Sequence, residues 1–311
     1  KPEESSIISR ILTTDKDEVM PPPESLKTLK PEEIALLKQW IAEGARYEMH
    51  WSYLAPVKPP APVTEGHGLT EIDHFINAKL KEAGLSMNPP EDKARAFRRL
   101  CFDLTGLPPQ PEALAAFLAD AAPDSWEKAV DRLMDTDACA EHFARHWLDA
   151  VRYGDTHGIH IDNFRSIWPY RDWVIAAFRK NMPFDQFTIE QMAGDLIPAA
   201  TVQQQLATGY NRCMPTTGEG GAIGEEYDAI YAKDRVDTMS AVWLGLTTGC
   251  ATCHDHKFDP LTMRDFYSLP AFFRNSPMSA LDGNNAEHPP VLNGPSSQDE
   301  ARAKVLPAEI E

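Results

Sequence analysis

Ile72-Asp73-His74-Phe75-Ile76-Asn77-Ala78-Lys79-Leu80 decides the fold: its apolar residues Ile72, Phe75, Ile76 and Leu80 recur at three- and four-residue steps. That spacing lays one stripe along a helix and does not fit the two-residue alternation of a half-buried strand. The same period runs through Ala94 to Leu104, Glu112 to Ala119 and Trp126 to Met134, separated by proline loops such as Leu107-Pro108-Pro109. Further helices are predicted over Ala140 to Arg152, Tyr170 to Asn181, Thr188 to Leu196 and Val202 to Tyr210. No strand alternation is sustained and no internal repeat is visible, so the predicted fold class is all-α.

Toward the N-terminus, Ile7 to Leu12 is a short amphipathic piece. A helix start follows at Thr28 to Glu33, with Pro31 in the first turn and acids close behind. Ile34, Leu37, Trp40 and Ile41 continue it at helical spacing until Gly44. Ala55 to Val63 is proline-rich and predicts a stiff, extended linker. The expected organisation is a helical module over 1–54, a linker over 55–68, a larger helical domain over 69–280 and a loop-rich lead over 281–311, with a helix opening at Ser297.

The chain has 311 residues, 42% of them hydrophobic and 25% charged, which is the balance of an ordinary globular protein. Its net charge of −17 argues against nucleic acid and anionic membrane surfaces as partners, since both repel a strongly acidic protein. No run approaches eighteen apolar residues, so no membrane span is expected.

The most specific chemical signal is Cys250-Ala251-Thr252-Cys253-His254. Two thiols three positions apart can add to the two vinyl groups of a haem, and the histidine that follows is held where it can bind the iron. With 5 cysteines and 10 histidines in 311 residues, chance yields about 0.003 such strings. Three other readings use the same residues. A zinc site would take Cys250, Cys253, His254 and His256, although zinc ligands normally come as two separated pairs. A redox disulfide would expect a βαβ setting. A plain structural pair of cysteines is the third. The remaining Cys101, Cys139 and Cys213 imply no disulfide framework, and Cys101 and Cys139 read as small buried residues.

A haem iron takes a second axial partner or keeps an open face. His142 and His146 stand four apart on one helix face, and His146, beside Trp147 and Leu148, is the more buried by pattern and the first choice for the iron. Tyr153-Gly154-Asp155-Thr156-His157-Gly158-Ile159-His160-Ile161-Asp162-Asn163 is a loop dense in Asp, His and Asn, and it supplies Asp155, His157 and His160 as candidate catalytic groups. The alternative is a turn whose Asp and Asn cap its own backbone. The glycine-rich loop from Thr217 to Glu226 opens a helix without a preceding strand, which fits a nucleotide site poorly; it reads as a flexible loop, with the glycines and Glu219 letting backbone approach a ligand or haem propionate as the alternative. His256 is placed to meet a propionate or a substrate rather than the same iron.

With these motifs in view, the chain resembles a known family. Cys250 to Pro260, Ala144-Arg145-His146-Trp147-Leu148-Asp149, Arg152-Tyr153-Gly154-Asp155 and Tyr170-Arg171-Asp172-Trp173-Val174 are similar to the large exported cytochromes abundant in planctomycetes. Residues from about Leu69 to Pro277 resemble the first of two domains of unassigned function that follow an N-terminal cytochrome c module in those proteins. Residues 1–54 resemble the C-terminal half of that module, with Met20 at the position of its axial methionine. The resemblance implies a further haem motif upstream of Lys1 and a further domain beyond Glu311.

Covalent haem c is therefore the expected cofactor, with a second haem on a preceding segment. Because such haem is generally attached outside the cytoplasmic membrane, an extracytoplasmic location is expected, at the periplasm or cell surface. The expected function is electron transfer with a redox partner protein or a neighbouring haem domain. An oxidoreductase acting on a carbohydrate or peroxide, and a structural haem or zinc domain in a surface assembly, are the alternatives. Carbohydrate enters because the family's members often accompany polysaccharide-degrading enzymes.

Overall fold

The computed structural model describes residues 1–66, 70–292, 302 and 306. Among these the chain is all-α, with twelve α-helices, no strand, and three isolated β-bridges. The domain start expected at Leu69 and the helix expected from Ser297 lie outside the described residues. No described helix is long and apolar enough to cross a membrane. The chain divides into two compact units, Lys1–Pro89 and Pro90–Glu311.

The first unit holds α1 (Ser6–Leu12), α2 (Pro31–Ala42) and α3 (Glu71–Glu82). Pro31 opens α2, where its missing N–H leaves nothing unsatisfied, and the Glu33 carboxylate turns back to accept the Lys30 N–H at 2.7 Å. Thr70 and Asp73 close the start of α3 reciprocally. The proline-rich stretch 55–63 has no regular secondary structure.

The second unit begins with α4 (Lys93–Thr105), α5 (Pro111–Ala119) and α6 (Ser125–Met134). Their facing stripes enclose Phe97, Cys101, Phe117 and Ala129, and the rings of Phe97 and Phe117 stack with centroids 4.6 Å apart. Next come α7 (Asp137–Ala150), α8 (Trp168–Arg179), α9 (Phe184–Ala193) and α10 (Val202–Ala207), which wrap the main core. Ala144, Val151, Tyr170, Trp173, Val174, Phe187 and Ala207 are buried there. Burying one such large apolar side chain stabilises by about 1.5–3 kcal/mol.

Helix α9 starts four residues before the Thr188 that periodicity predicts. Pro183 holds the chain extended just ahead of it, and beginning at Phe184 brings Phe187 into the core. Between α9 and α10 the backbones meet closely: a side-chain carbon at Gly194 would lie 2.1 Å from the Gln204 carbonyl oxygen, so only glycine fits. The unit ends with α11 (Gly224–Met239) and α12 (Met263–Ser268).

Candidate functional site

The Cys250–His254 string owes its shape to the elements on either side. Helix α11 runs on as a single wide π-type turn, Ser240–Leu244, and Gly245 then takes a left-handed conformation that reverses the chain. Leu246 N–H bonds back to the Ser240 carbonyl at 3.1 Å, and a tight 3₁₀ turn, Thr248–Thr252, follows. Inside it the Thr252 hydroxyl donates to the Gly249 carbonyl at 2.7 Å, and from outside the Tyr267 hydroxyl donates to the Thr252 carbonyl at 2.9 Å. Ala251 is buried between Val236 of α11 and Phe266 of α12.

This arrangement decides where the thiols go. The 3₁₀ turn ends at Thr252, and Cys253 caps it. Ala251 is turned inward, whereas Cys250 and Cys253 are both exposed and free. His254 is exposed beside them, with Nδ1 2.8 Å from the carbonyl oxygen of Asp255. A carbonyl can only accept, so Nδ1 carries the proton and the lone pair sits on Nε2. Asp255 is itself fixed, its Oδ1 accepting the Met263 N–H at 2.8 Å.

His256 has a different task. Its Nδ1 accepts the N–H groups of Asp259, at 2.8 Å, and Phe258, at 3.3 Å, while its own N–H bonds the Leu261 carbonyl. Nδ1 is thereby used in clasping the 256–261 turn, and Nε2 is left as a donor. A zinc reading finds no support in this geometry: among the described residues no three His, Cys, Asp or Glu side chains converge to hold a metal ion.

A cleft of about 440 Å³ lies between the end of α7 and α11, lined by Arg152, Lys233, Asp234, Asp237 and Thr238 among others. Arg152 pairs with Asp234, and Lys233 with Asp237.

The candidate catalytic loop is divided between surface and interior. Asp155 is exposed and accepts the Tyr153 hydroxyl at 2.6 Å. That bond and burial, with burial the larger cause, raise the Tyr153 phenol well above its ordinary range. His160 is exposed, on backbone with φ of 61°. Asp162 closes the loop by accepting the Gly158 N–H at 2.9 Å; the Thr156 hydroxyl and that N–H hold its carboxyl below the usual range.

His157, by contrast, is 2% exposed. Its Nδ1 meets the Thr216 hydroxyl at 2.6 Å and Asp282 Oδ2 at 3.3 Å, and its Nε2 meets the Asn285 carbonyl at 2.9 Å. Three segments are joined here. Gly158 bridges to Thr216 and Thr217 bridges to Leu281, so the glycine-rich loop begins from a buried, fixed base. Arg165, also buried, donates to the carbonyls of Gly154, Cys213 and Met214 and holds the same junction from beneath. Sequence reading missed Asp282, Thr216, Asn285 and Arg165. The density of Asp and Asn over 282–285 was the available signal, and it read only as loop.

The expectation that His146 is the more buried histidine of its pair is overturned. His146 is exposed and His142 is half-buried. The inward stripe of α7 is Ala140, Ala144, Trp147, Leu148 and Val151. A residue next to Trp147 in sequence sits about 100° from it around the helix. The Gly106 turn that ends α4 instead covers His142. Helix α7 packs chiefly on α8, α4 and α6, and the Cys250 turn on α12 and α11. In the first unit, Met20 is exposed, with its N–H bonded to the Arg10 carbonyl.

Residues 71–278 match the model of the PSCyt2 family, described as a protein of unknown function (DUF1549). No curated protein and no solved structure matches the chain.

Proposed function

The chain belongs to the PSCyt2 family, and we propose that it is an exported c-type haem protein that transfers electrons, as one module of a larger multihaem cytochrome of the planctomycete type. The observation that carries this reading is the pairing of two exposed thiols with a histidine whose Nδ1–H is tied to the Asp255 carbonyl. That bond fixes the ring and leaves Nε2 as the ligating atom, the arrangement by which backbone carbonyls orient metal-bound histidines.

A haem fits these residues. Cys250 and Cys253 would hold it through thioether links and His254 would bind its iron. When bound, the group would supply reversible one-electron storage at the iron. The chain's part is to keep the turn rigid. Ala251 anchors it to the core, Tyr267 and Thr252 tie its carbonyls, and the His256 clasp directs the chain away after the ligand. His256 Nε2–H would be the donor toward a propionate. The acidic surface suits a basic redox partner protein.

Residues 1–54 are proposed to belong to a preceding haem module, with Met20 as axial ligand there. The exposed Met20 side chain is consistent with that role. His146 is the proposed second axial partner of the haem on Cys250 and Cys253. A low- to high-spin change on His146→Ala would support it, and an unchanged spectrum removes it. An oxidoreductase acting on a carbohydrate or peroxide gains nothing from His157, whose two ring nitrogens are both engaged inside the protein.

The decisive experiment is a pyridine haemochrome spectrum after acid–acetone extraction, on protein made in a host that matures c-type cytochromes. Haem that stays with the chain and shows a c-type α band is expected, and Cys250→Ala with Cys253→Ala should abolish it. Colour that extracts fully would end the reading.

A further inference from the structure

Two clefts of the second unit use their charges differently. In the cleft between α7 and α11 each charge is already answered by another, Arg152 by Asp234 and Lys233 by Asp237. A second cleft, of about 260 Å³, lies where the end of α8 meets α9 and the start of α10. Its walls carry two ionisable side chains among the described residues, Glu190 and Lys180, and these do not pair with one another. Glu190 is 4% exposed, whereas Lys180 stands exposed at the rim.

The floor of this cleft keeps polar atoms open. Oε1 of Glu190 accepts the side-chain amides of Gln186 at 2.8 Å and Gln204 at 3.4 Å. Oε2 takes no hydrogen bond among the described residues, and neither does the indole N–H of Trp173, itself 4% exposed. The side-chain atoms sealed in without a partner belong to Tyr210, Asn211, Asp237, Ser240, Thr248 and Asp282. Glu190 Oε2 and Trp173 Nε1 are outside that set, so each reaches a surface, and the surface their residues share is this cleft. The walls are also fixed. Gln191, beside Glu190, is held by Trp147 and Tyr170, and the close crossing at Gly194 sets α10 against α9.

Water in the cleft would bond both atoms, but it would leave a carboxylate buried among neutral amides. Buried charge is costly until an opposite charge meets it. An ammonium group supplies that charge at Oε2. The same ligand has to accept from the indole N–H, and the unpaired Lys180 at the rim calls for a negative group. We propose that this cleft binds a small zwitterion of the α-amino acid class, its ammonium on Glu190 Oε2 and its carboxylate between Trp173 Nε1–H and Lys180. The volume is below the roughly 300–1,000 Å³ of sites for drug-sized molecules and suits a single amino acid. A neutral polyol would meet the same donor and acceptor but leave both charges unanswered. The site does not rest on the haem reading.

Isothermal titration calorimetry on the full chain tests it with L-leucine and L-glutamine, against n-butylamine, butyrate and glucose. At least one of the amino acids should bind, one per chain, with butylamine weaker and butyrate and glucose silent. Glu190→Gln keeps the side chain's size and should weaken the amino acid about ten- to a hundredfold. Lys180→Met should weaken it several-fold. If Glu190→Gln melts early, Lys180→Met decides alone, because its position is exposed. Silence from both amino acids overturns the site. So does glucose or butylamine binding as tightly as the amino acid, or an affinity that either folded variant leaves unchanged.

Discussion

Nδ1 of His157 lies 3.3 Å from Oδ2 of Asp282, and the two side chains are 2% and 1% exposed. The contact joins a loop after α7 to the stretch beyond α12, with Thr216 bonded to the same ring nitrogen. A buried polar group is costly to strand, so the bonds made by the His157 ring hold these segments together.

Removing the ring should therefore be costly. His157→Ala would leave the Thr216 hydroxyl and the Asn285 carbonyl buried without their ring partner, and a loss of about 1–3 kcal/mol is expected. Urea unfolding would show it as a lower midpoint at unchanged slope. A midpoint equal to the parent's would deny the junction a role in stability.

Acid should weaken the same region through His288. Burial first, and the Arg212 guanidinium second, lower its pKa below the ordinary imidazole value. The native state therefore takes up this proton less readily than the unfolded chain. The associated stability is intact above about pH 6.5, the unfolded value, and is lost as the pH falls below it until the lowered native pKa is reached. Unfolding free energy should fall as the pH drops below about 6.5, and His288→Gln should flatten that slope. His142, lowered by burial and by Arg145, contributes in the same direction and accounts for slope that remains. An identical slope in the variant rules out His288 as a source.

Thiol reactivity should separate the cysteines cleanly. Cys250 and Cys253 are exposed, whereas Cys101, Cys139 and Cys213 are buried. Burial pushes the Cys213 thiol up to about 12. In native haem-free protein an aromatic disulfide reagent should titrate two thiols quickly and the other three only after denaturation. A third fast thiol would contradict the packing around α4, α7 or the 208–212 turn.

Gly194→Ala forces a methyl onto the Gln204 carbonyl, and about 1–3 kcal/mol of stability should be lost as α9 and α10 move apart. A thermal melt at the parent's temperature would show that the crossing gives way freely.

The all-α class was legible because each helix stripe repeats within a dozen residues. The stripe of Phe97 and Cys101 and the caps at Thr201 and Thr262 are local signals, and local signals survive in sequence. The exposure of His146 was not legible, because neighbours in sequence point about 100° apart on a helix and only tertiary packing says which direction is inward. The junction at His157 was hidden for another reason. Its partners Thr216 and Asp282 come from distant loops, and no periodicity links a loop residue to another so far along the chain. The C-x-x-C-H string was legible as a motif, but the inward position of Ala251 needed the Val236 and Phe266 surfaces to be seen.

The match to the family ends at residue 278, yet the protein's interior does not. Asp282 and Asn285 reach back to His157, Ala286 accepts the Ser166 N–H, and Arg212 grips the carbonyls of His288 and Pro290. The span recognised by ancestry is thus shorter than the span that folds. A fragment cut at the family boundary would open a polar seam against water and leave Arg212 and His157 without their acceptors, so an autonomous version of this unit has to run through Pro290.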